Sequence, residues 1–128
     1  MKIGEVTAEL GISIDTLRYY EKIHLLPNIK RSAAGQREYT AADMARVRFI
    51  KRAQKMGFSL DDIASLLAFR DAPAQSKPMV RNMVAEKLTE INHQIQELSA
   101  LRDELTALTA ACEVTEDNCP ILDNFNKK

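Results

Sequence analysis

Between Val84 and Leu108 the apolar residues Val84, Leu88, Ile91, Ile95, Leu98, Leu101, Leu105 and Leu108 recur at steps of four and three, and this pattern restricts the fold more than any other. Positions so spaced lie on one seam of a helix, the seam along which helices pair in coiled coils. A helix from about Met79 to Ala111 is roughly 50 Å long at about 1.5 Å per residue, too long for one small domain to cover. A second chain is expected to bury it. The consecutive three-residue steps Ile95 to Leu98 and Leu98 to Leu101 break the strict heptad and predict slight local overwinding. The alternative, a helix folded back on its own N-terminal half, is disfavoured because the first 70 residues offer no apolar groove of that length.

Those 70 residues are one small domain's worth of sequence. The whole chain of 128 residues is too short for a large enzyme and long enough to bury a core without disulfide staples. Four glycines, four prolines and 28% charged residues describe an ordered, helix-rich protein. No apolar run exceeds four residues, Leu66 to Phe69, so no membrane span or secretory leader is expected and a cytoplasmic location is. The zero net charge conceals a division: residues 1 to 70 hold twelve Lys and Arg against eight Asp and Glu, and the remainder six against ten. The bases concentrate between Lys30 and Lys55, a stripe able to neutralise phosphates or simply to form a solvated helix face.

Breaks at Gly11, Pro27, Gly35, Gly57, Pro73 and Pro78 cut the N-terminal part into short elements. Ile3, Val6 and Leu10 predict a two-turn helix closed by Gly11, and Ser13 caps a second helix to about Ile23 with Ile14, Leu17 and Ile23 facing inward. Two short helices joined through Gly-Ile-Ser suggest a helix-turn-helix. On the second, Asp15, Thr16, Arg18, Tyr19 and Tyr20 form a donor-rich face suited to a major groove. The polar stretch from Leu25 to Tyr39, with Arg31, Gly35 and Arg37, predicts a small hairpin or wing. Thr40 with Asp43 opens a helix to about Met56, and Ser59 with Asp62 opens another to about Arg70. This order is that of a winged DNA-binding domain.

The runs Ile3-Gly4-Glu5-Val6, Thr16-Leu17-Arg18-Tyr19-Tyr20-Glu21, Leu25-Leu26-Pro27, Arg31-Ser32, Gly35, Arg37, Tyr39-Thr40 and Gly57-Phe58-Ser59-Leu60-Asp61-Asp62-Ile63 resemble the MerR family of transcription regulators over nearly the whole chain. The resemblance implies a homodimer joined by an antiparallel coiled coil, with two winged helix-turn-helix domains on double-stranded promoter DNA. It also implies that effector binding untwists a long promoter spacer so that RNA polymerase can use it, an action through DNA shape. Thr16, Arg18, Tyr19, Tyr20, Arg31, Arg37 and Tyr39 are the expected DNA contacts. The chain departs from the family at Gln36, where an aromatic residue is usual.

Cys112 and Cys119 are too few for a disulfide scaffold, and in a reducing cell such a pair points to metal or redox chemistry. Bracketing a short loop at the end of the long helix, they resemble the metal-binding loop of the family's heavy-metal branch, both copper-sensor-like and cadmium/lead-sensor-like. Thiolates are soft donors, and two of them complete a linear site but not a tetrahedral one. Divalent-metal members generally take a further cysteine from the start of the partner's dimer helix. Here that stretch reads Pro73-Ala74-Gln75-Ser76-Lys77-Pro78, which favours Cu(I), Ag(I) or Au(I), with Lys77 offsetting the bis-thiolate charge. Glu113, Glu116, Asp117 or one of the histidines, His24 and His93, could add a harder ligand and admit Zn(II) or Ni(II), although both histidines lie far along the chain and read as solvated or structural. A divalent Cd, Pb, Zn, Hg or Ni ion is the alternative effector. A thiol-redox sensor using the same two cysteines is the other reading.

The sequence therefore predicts a mainly α protein with a winged helix-turn-helix domain over 1–72, a dimerisation helix over 73–111, and a metal-binding loop and tail over 112–128. No nucleophile triad, glycine-rich phosphate loop or paired-carboxylate set suggests catalysis.

Overall fold

Gly11 and Ser13 make the first turn of the chain what it is. In the computed structural model, which describes residues 1–127, helix α1 spans Ile3–Leu10 and ends on Gly11 at φ 63°, whose N–H donates to Thr7 O at 3.0 Å. That left-handed conformation is readily open to glycine alone. Two residues on, the Ser13 hydroxyl accepts from the Thr16 amide at 3.1 Å and starts α2, Ile14–Lys22. The chain then leaves α2 through His24, a non-glycine residue at φ 65°. His24 N–H donates to Glu21 O and Leu25 N–H to Tyr20 O, the pair of bonds that defines a Schellman ending.

The wing follows. Strands β1, Lys30–Arg31, and β2, Arg37–Glu38, pair antiparallel with Arg31 opposite Arg37. Gly35, at φ 81°, closes the turn by donating to Ser32 O at 2.9 Å. Lys2 bridges Glu38 on the far side, and the Tyr39 amide donates to Met1 O at 2.7 Å, so the first residues add a third short rung. Thr40 and Asp43 form a reciprocal capping box at the start of α3, Ala41–Lys55, and Ser59 caps α4, Leu60–Asp71.

The buried face of α3 carries Met44, Val47, Ile50 and Ala53 at three-residue steps and meets Val6, Leu17, Ile63 and Leu67 from the other helices. Each such aliphatic side chain contributes about 1.5–3 kcal/mol when fully buried. The inward face of α2 differs from expectation. Ile14 is 40% exposed, and the core stripe runs through Leu17 to Tyr20 instead. Tyr20 and Tyr39, expected at the DNA, are both core residues at 2% exposure. Their rings bury more apolar area than the shorter side chains beside them, and that area governs where they go.

Helix α5 runs unbroken from Pro73 to Glu113. Pro73 suits a first helical position because it has no N–H to leave unpaired, while the later Pro78 removes one donor and the helix continues. The Ser76 hydroxyl donates to Ala72 O at 2.6 Å in the same region. A short helix α6, Pro120–Phe125, is the last element of the described chain; residue 128, within the expected tail, lies outside the described residues. Two compact units are distinguished, Met1–Val80 and a second from Arg81 onward. No helix among the described residues is long and apolar enough to cross a membrane.

Candidate functional site

In the second unit, Cys112 occupies the last turn of α5 and Cys119 stands immediately before α6. Their sulfurs lie 3.8 Å apart, and both thiols are free and half-buried. The two differ in acidity. Cys119 is held below the ordinary thiol range, chiefly by the Leu122 amide and then by the Cys112 thiol and the Ile121 amide. Cys112 is pushed up because it serves as donor to Cys119, with burial adding to the effect. Cys119 is therefore the first to become a thiolate, the form that binds metal or attacks a disulfide.

Around the pair the loop is acidic and exposed at Glu113, Glu116 and Asp117. No group of three or more His, Cys, Asp or Glu side chains among the described residues is arranged to hold a metal ion. Neither histidine joins the loop: His93 pairs with Glu97 on α5 at 2.8 Å, and His24 is the left-handed residue closing α2. Two converging soft donors fit a thiophilic ion. One loop residue that the sequence did not bring forward is Thr115, whose hydroxyl lies 3.1 Å from Asn118 O and 3.4 Å from Cys112 O.

In the first unit, Arg18 of α2 and Arg31 and Arg37 of the wing line one open cleft of about 500 Å³, together with Lys2, Gly4, Glu5 and Gln36. Four bases and one acid give it the charge that phosphates require. Arg37 is fixed there by a 2.7 Å ion pair to Glu21, and Arg31 donates to Gly35 O at 2.9 Å. Lys2 was not anticipated; its place follows from the pairing of the first residues with β2. Tyr19 is exposed on α2, and the Thr16 hydroxyl lies 2.7 Å from that of Ser13. Thr16 and Tyr19 thus stand on the same helix as Arg18 but outside the cleft. Tyr20 turns away, its hydroxyl donating to Gln54 Oε1, and the Tyr39 hydroxyl is buried with no partner among the described residues.

The basic stripe of α3 is largely engaged within the unit. Arg46 Nε donates to Leu25 O at 2.6 Å, Lys51 Nζ donates to Leu10 O, and Arg48 lies 3.7 Å from Glu9. These bases hold neighbouring elements onto α3. Arg52 and Lys55 remain exposed toward its end.

Two family models match: "MerR HTH family regulatory protein" over residues 1–69 and "MerR, DNA binding" over residues 44–108. The chain is 34% identical to a probable heavy metal-dependent transcriptional regulator of Haemophilus influenzae, covering 98% of this chain and 99% of that one. The crystal structure of PbrR691 from Ralstonia metallidurans in complex with lead(II) aligns with a TM-score of 0.75 at 31% identity over 98% of both chains. That of HiNmlR, a MerR family regulator lacking the sensor domain and bound to promoter DNA, aligns with a TM-score of 0.69 at 26% identity, over 86% of this chain and 83% of that one.

Proposed function

The chain belongs to the MerR family of DNA-binding transcriptional regulators, and from that premise we propose that it is a cytoplasmic, metal-responsive regulator. Its effector is a thiophilic ion held between Cys112 and Cys119, and Cu(I), Ag(I) or Au(I) is the best fit. The observation that carries this reading is the donor count: two free thiols face each other, and no third protein donor is assembled beside them among the described residues. Two thiolates satisfy a linear monovalent ion and leave a tetrahedral one incomplete.

The protein acts as a homodimer paired along α5, and Arg18, Arg31 and Arg37, with Thr16 and Tyr19, grip a promoter duplex. Ion binding closes the loop on the ion and draws in the exposed Leu122 and Phe125 of α6, which changes how the two DNA-binding domains twist the duplex presented to RNA polymerase. The resemblance to a regulator crystallised with lead(II) supports the metal-sensing class.

A divalent ion is the second reading, and the sulfur spacing favours it. Sulfurs 3.8 Å apart around an ion at the ~2.3 Å typical of zinc–sulfur bonds subtend about 110°, a tetrahedral angle. Such a site would take its remaining donors from water, an acid of the loop or a second chain. X-ray absorption of the loaded, fully reduced protein separates the two. Two sulfur neighbours alone fit the monovalent ion, and three or four ligands including oxygen or nitrogen fit the divalent one. Replacing both cysteines with serine abolishes inducer response in either case. A chain that responds to oxidant but to no metal under full reduction would be a redox sensor instead.

A further inference from the structure

We propose that Thr115 is a positioning residue for the thiol pair, presetting the approach of Cys112 and Cys119 before any ion arrives. This inference rests on the metal-sensing reading for its purpose, though not for its geometry.

Six residues separate the cysteines, and this segment has little else to fold it. Residues Glu113 through Asn118 are all exposed, and its one apolar side chain, Val114, is 82% exposed. Yet the chain reverses tightly enough to bring the sulfurs to 3.8 Å. The Thr115 hydroxyl sits at the centre of that reversal, 3.3 Å from Ala111 O, 3.4 Å from Cys112 O and 3.1 Å from Asn118 O. The first two carbonyls belong to the last turn of α5, where helix acceptors lack an intrahelical donor. The third is the carbonyl of the peptide bond leading into Cys119. One proton shared among the three therefore ties the backbone of the first cysteine to the backbone entering the second.

Ordering six residues costs conformational entropy that a preformed turn has already met. Ligand-orienting groups outside the coordination sphere commonly contribute about 10- to 100-fold to metal affinity, and a single neutral hydrogen bond contributes about 2- to 10-fold. The Thr115 clamp, a shared neutral hydrogen bond, belongs in the upper part of the second range.

The test compares the full chain with Thr115→Val, which keeps the branched shape and loses the hydroxyl, and Thr115→Ser, which keeps the hydroxyl and loses the methyl. Two quantities are read: Ag(I) affinity against a competing chelator, and the equilibrium of the protein thiols with oxidised glutathione. In the second, two protein thiols and one glutathione disulfide give one Cys112–Cys119 disulfide and two glutathione thiols, both hydrogens passing to glutathione. The proposal expects Thr115→Val to weaken both by about 5- to 10-fold, with Thr115→Ser near the parent and helix content unchanged. An unchanged thiol–disulfide equilibrium in Thr115→Val overturns it, as does an equal loss in Thr115→Ser, which retains the hydroxyl. Failure of the parent chain to bind Ag(I) would overturn the monovalent-ion reading and leave the positioning claim to be decided by the thiol equilibrium.

Discussion

His24 occupies a left-handed conformation that a side chain makes unfavourable by about 1–2 kcal/mol, because its Cβ crowds the following carbonyl. The two Schellman hydrogen bonds at the end of α2 keep it there. Replacing it with glycine removes the crowding and adds some unfolded-state entropy. His24→Gly is therefore expected to raise stability by about 0.5–1 kcal/mol, read as an upward shift in the denaturation midpoint, with thiol chemistry unchanged. The two cysteines make a second case at this scale. Cys119 lies below the ordinary thiol range and Cys112 above it, so in the interval between them one sulfur is already ionised and the other still protonated. Binding an ion as a bis-thiolate must then expel the Cys112 proton. Affinity is expected to rise by about tenfold per pH unit across that interval and by about a hundredfold per unit below both, levelling off above the Cys112 value. Titration in buffers of different ionisation enthalpy counts those protons; an affinity independent of pH across that interval would mean that Cys112 takes no part.

At the scale of the element, α3 shows that a row of bases can be structural. Arg46 donates to a carbonyl in the loop after α2, and Lys51 to the end of α1, whereas Arg18 and Arg31 line the open cleft. The two groups should respond differently to mutation. Arg46→Ala removes a charged hydrogen bond and should cost about 1.5–3 kcal/mol of stability. Arg18→Ala and Arg31→Ala should leave the melting temperature nearly unchanged, weaken duplex binding for all sequences and lower the salt dependence by about one counterion each. Melting curves and binding isotherms over a salt series check both. The stripe could not be sorted this way from sequence because the acceptors for Arg46 and Lys51 are backbone carbonyls far along the chain, which carry no residue signature. The helix starts were legible for the opposite reason: Ser13, Thr40 and Ser59 each bond an amide three residues ahead. Tyr20 and Tyr39 were misplaced because a tyrosine offers both a large apolar ring and a polar tip, and only the packed partners decide which one governs. Likewise the two cysteines were visible as a pair, but Thr115 was not, since its role depends on a chain reversal rather than on a spacing.

For the molecule as a whole, the seam along α5 is the largest unmet demand of the chain. Leu88, Ile95, Leu98, Leu101 and Leu105 are each about half exposed or more, with Leu98 at 66%. A contiguous apolar face of this kind marks an interaction surface, and its heptad-like spacing specifies another helix as the partner. Since the seam is the same on every copy, pairing of two chains buries it twice over, and each substitution enters the interface twice. Leu98→Glu places two carboxylates in a face that offers no donors, and even a modest cost of about 2 kcal/mol per carboxylate raises the dimer dissociation constant by roughly a thousandfold. Leu98→Met, which conserves volume and polarity, should cost little. Sedimentation over a concentration series is expected to show Leu98→Glu as monomer where the parent and Leu98→Met are dimers. Because a palindromic duplex rewards two linked domains and a half-site does not, Leu98→Glu should lose affinity for the palindrome and keep that for the half-site. If Leu98→Glu still sediments as a dimer, the seam is not what joins the chains, and a thiol switch at its end would have no shared helix through which to reach two DNA-binding domains at once.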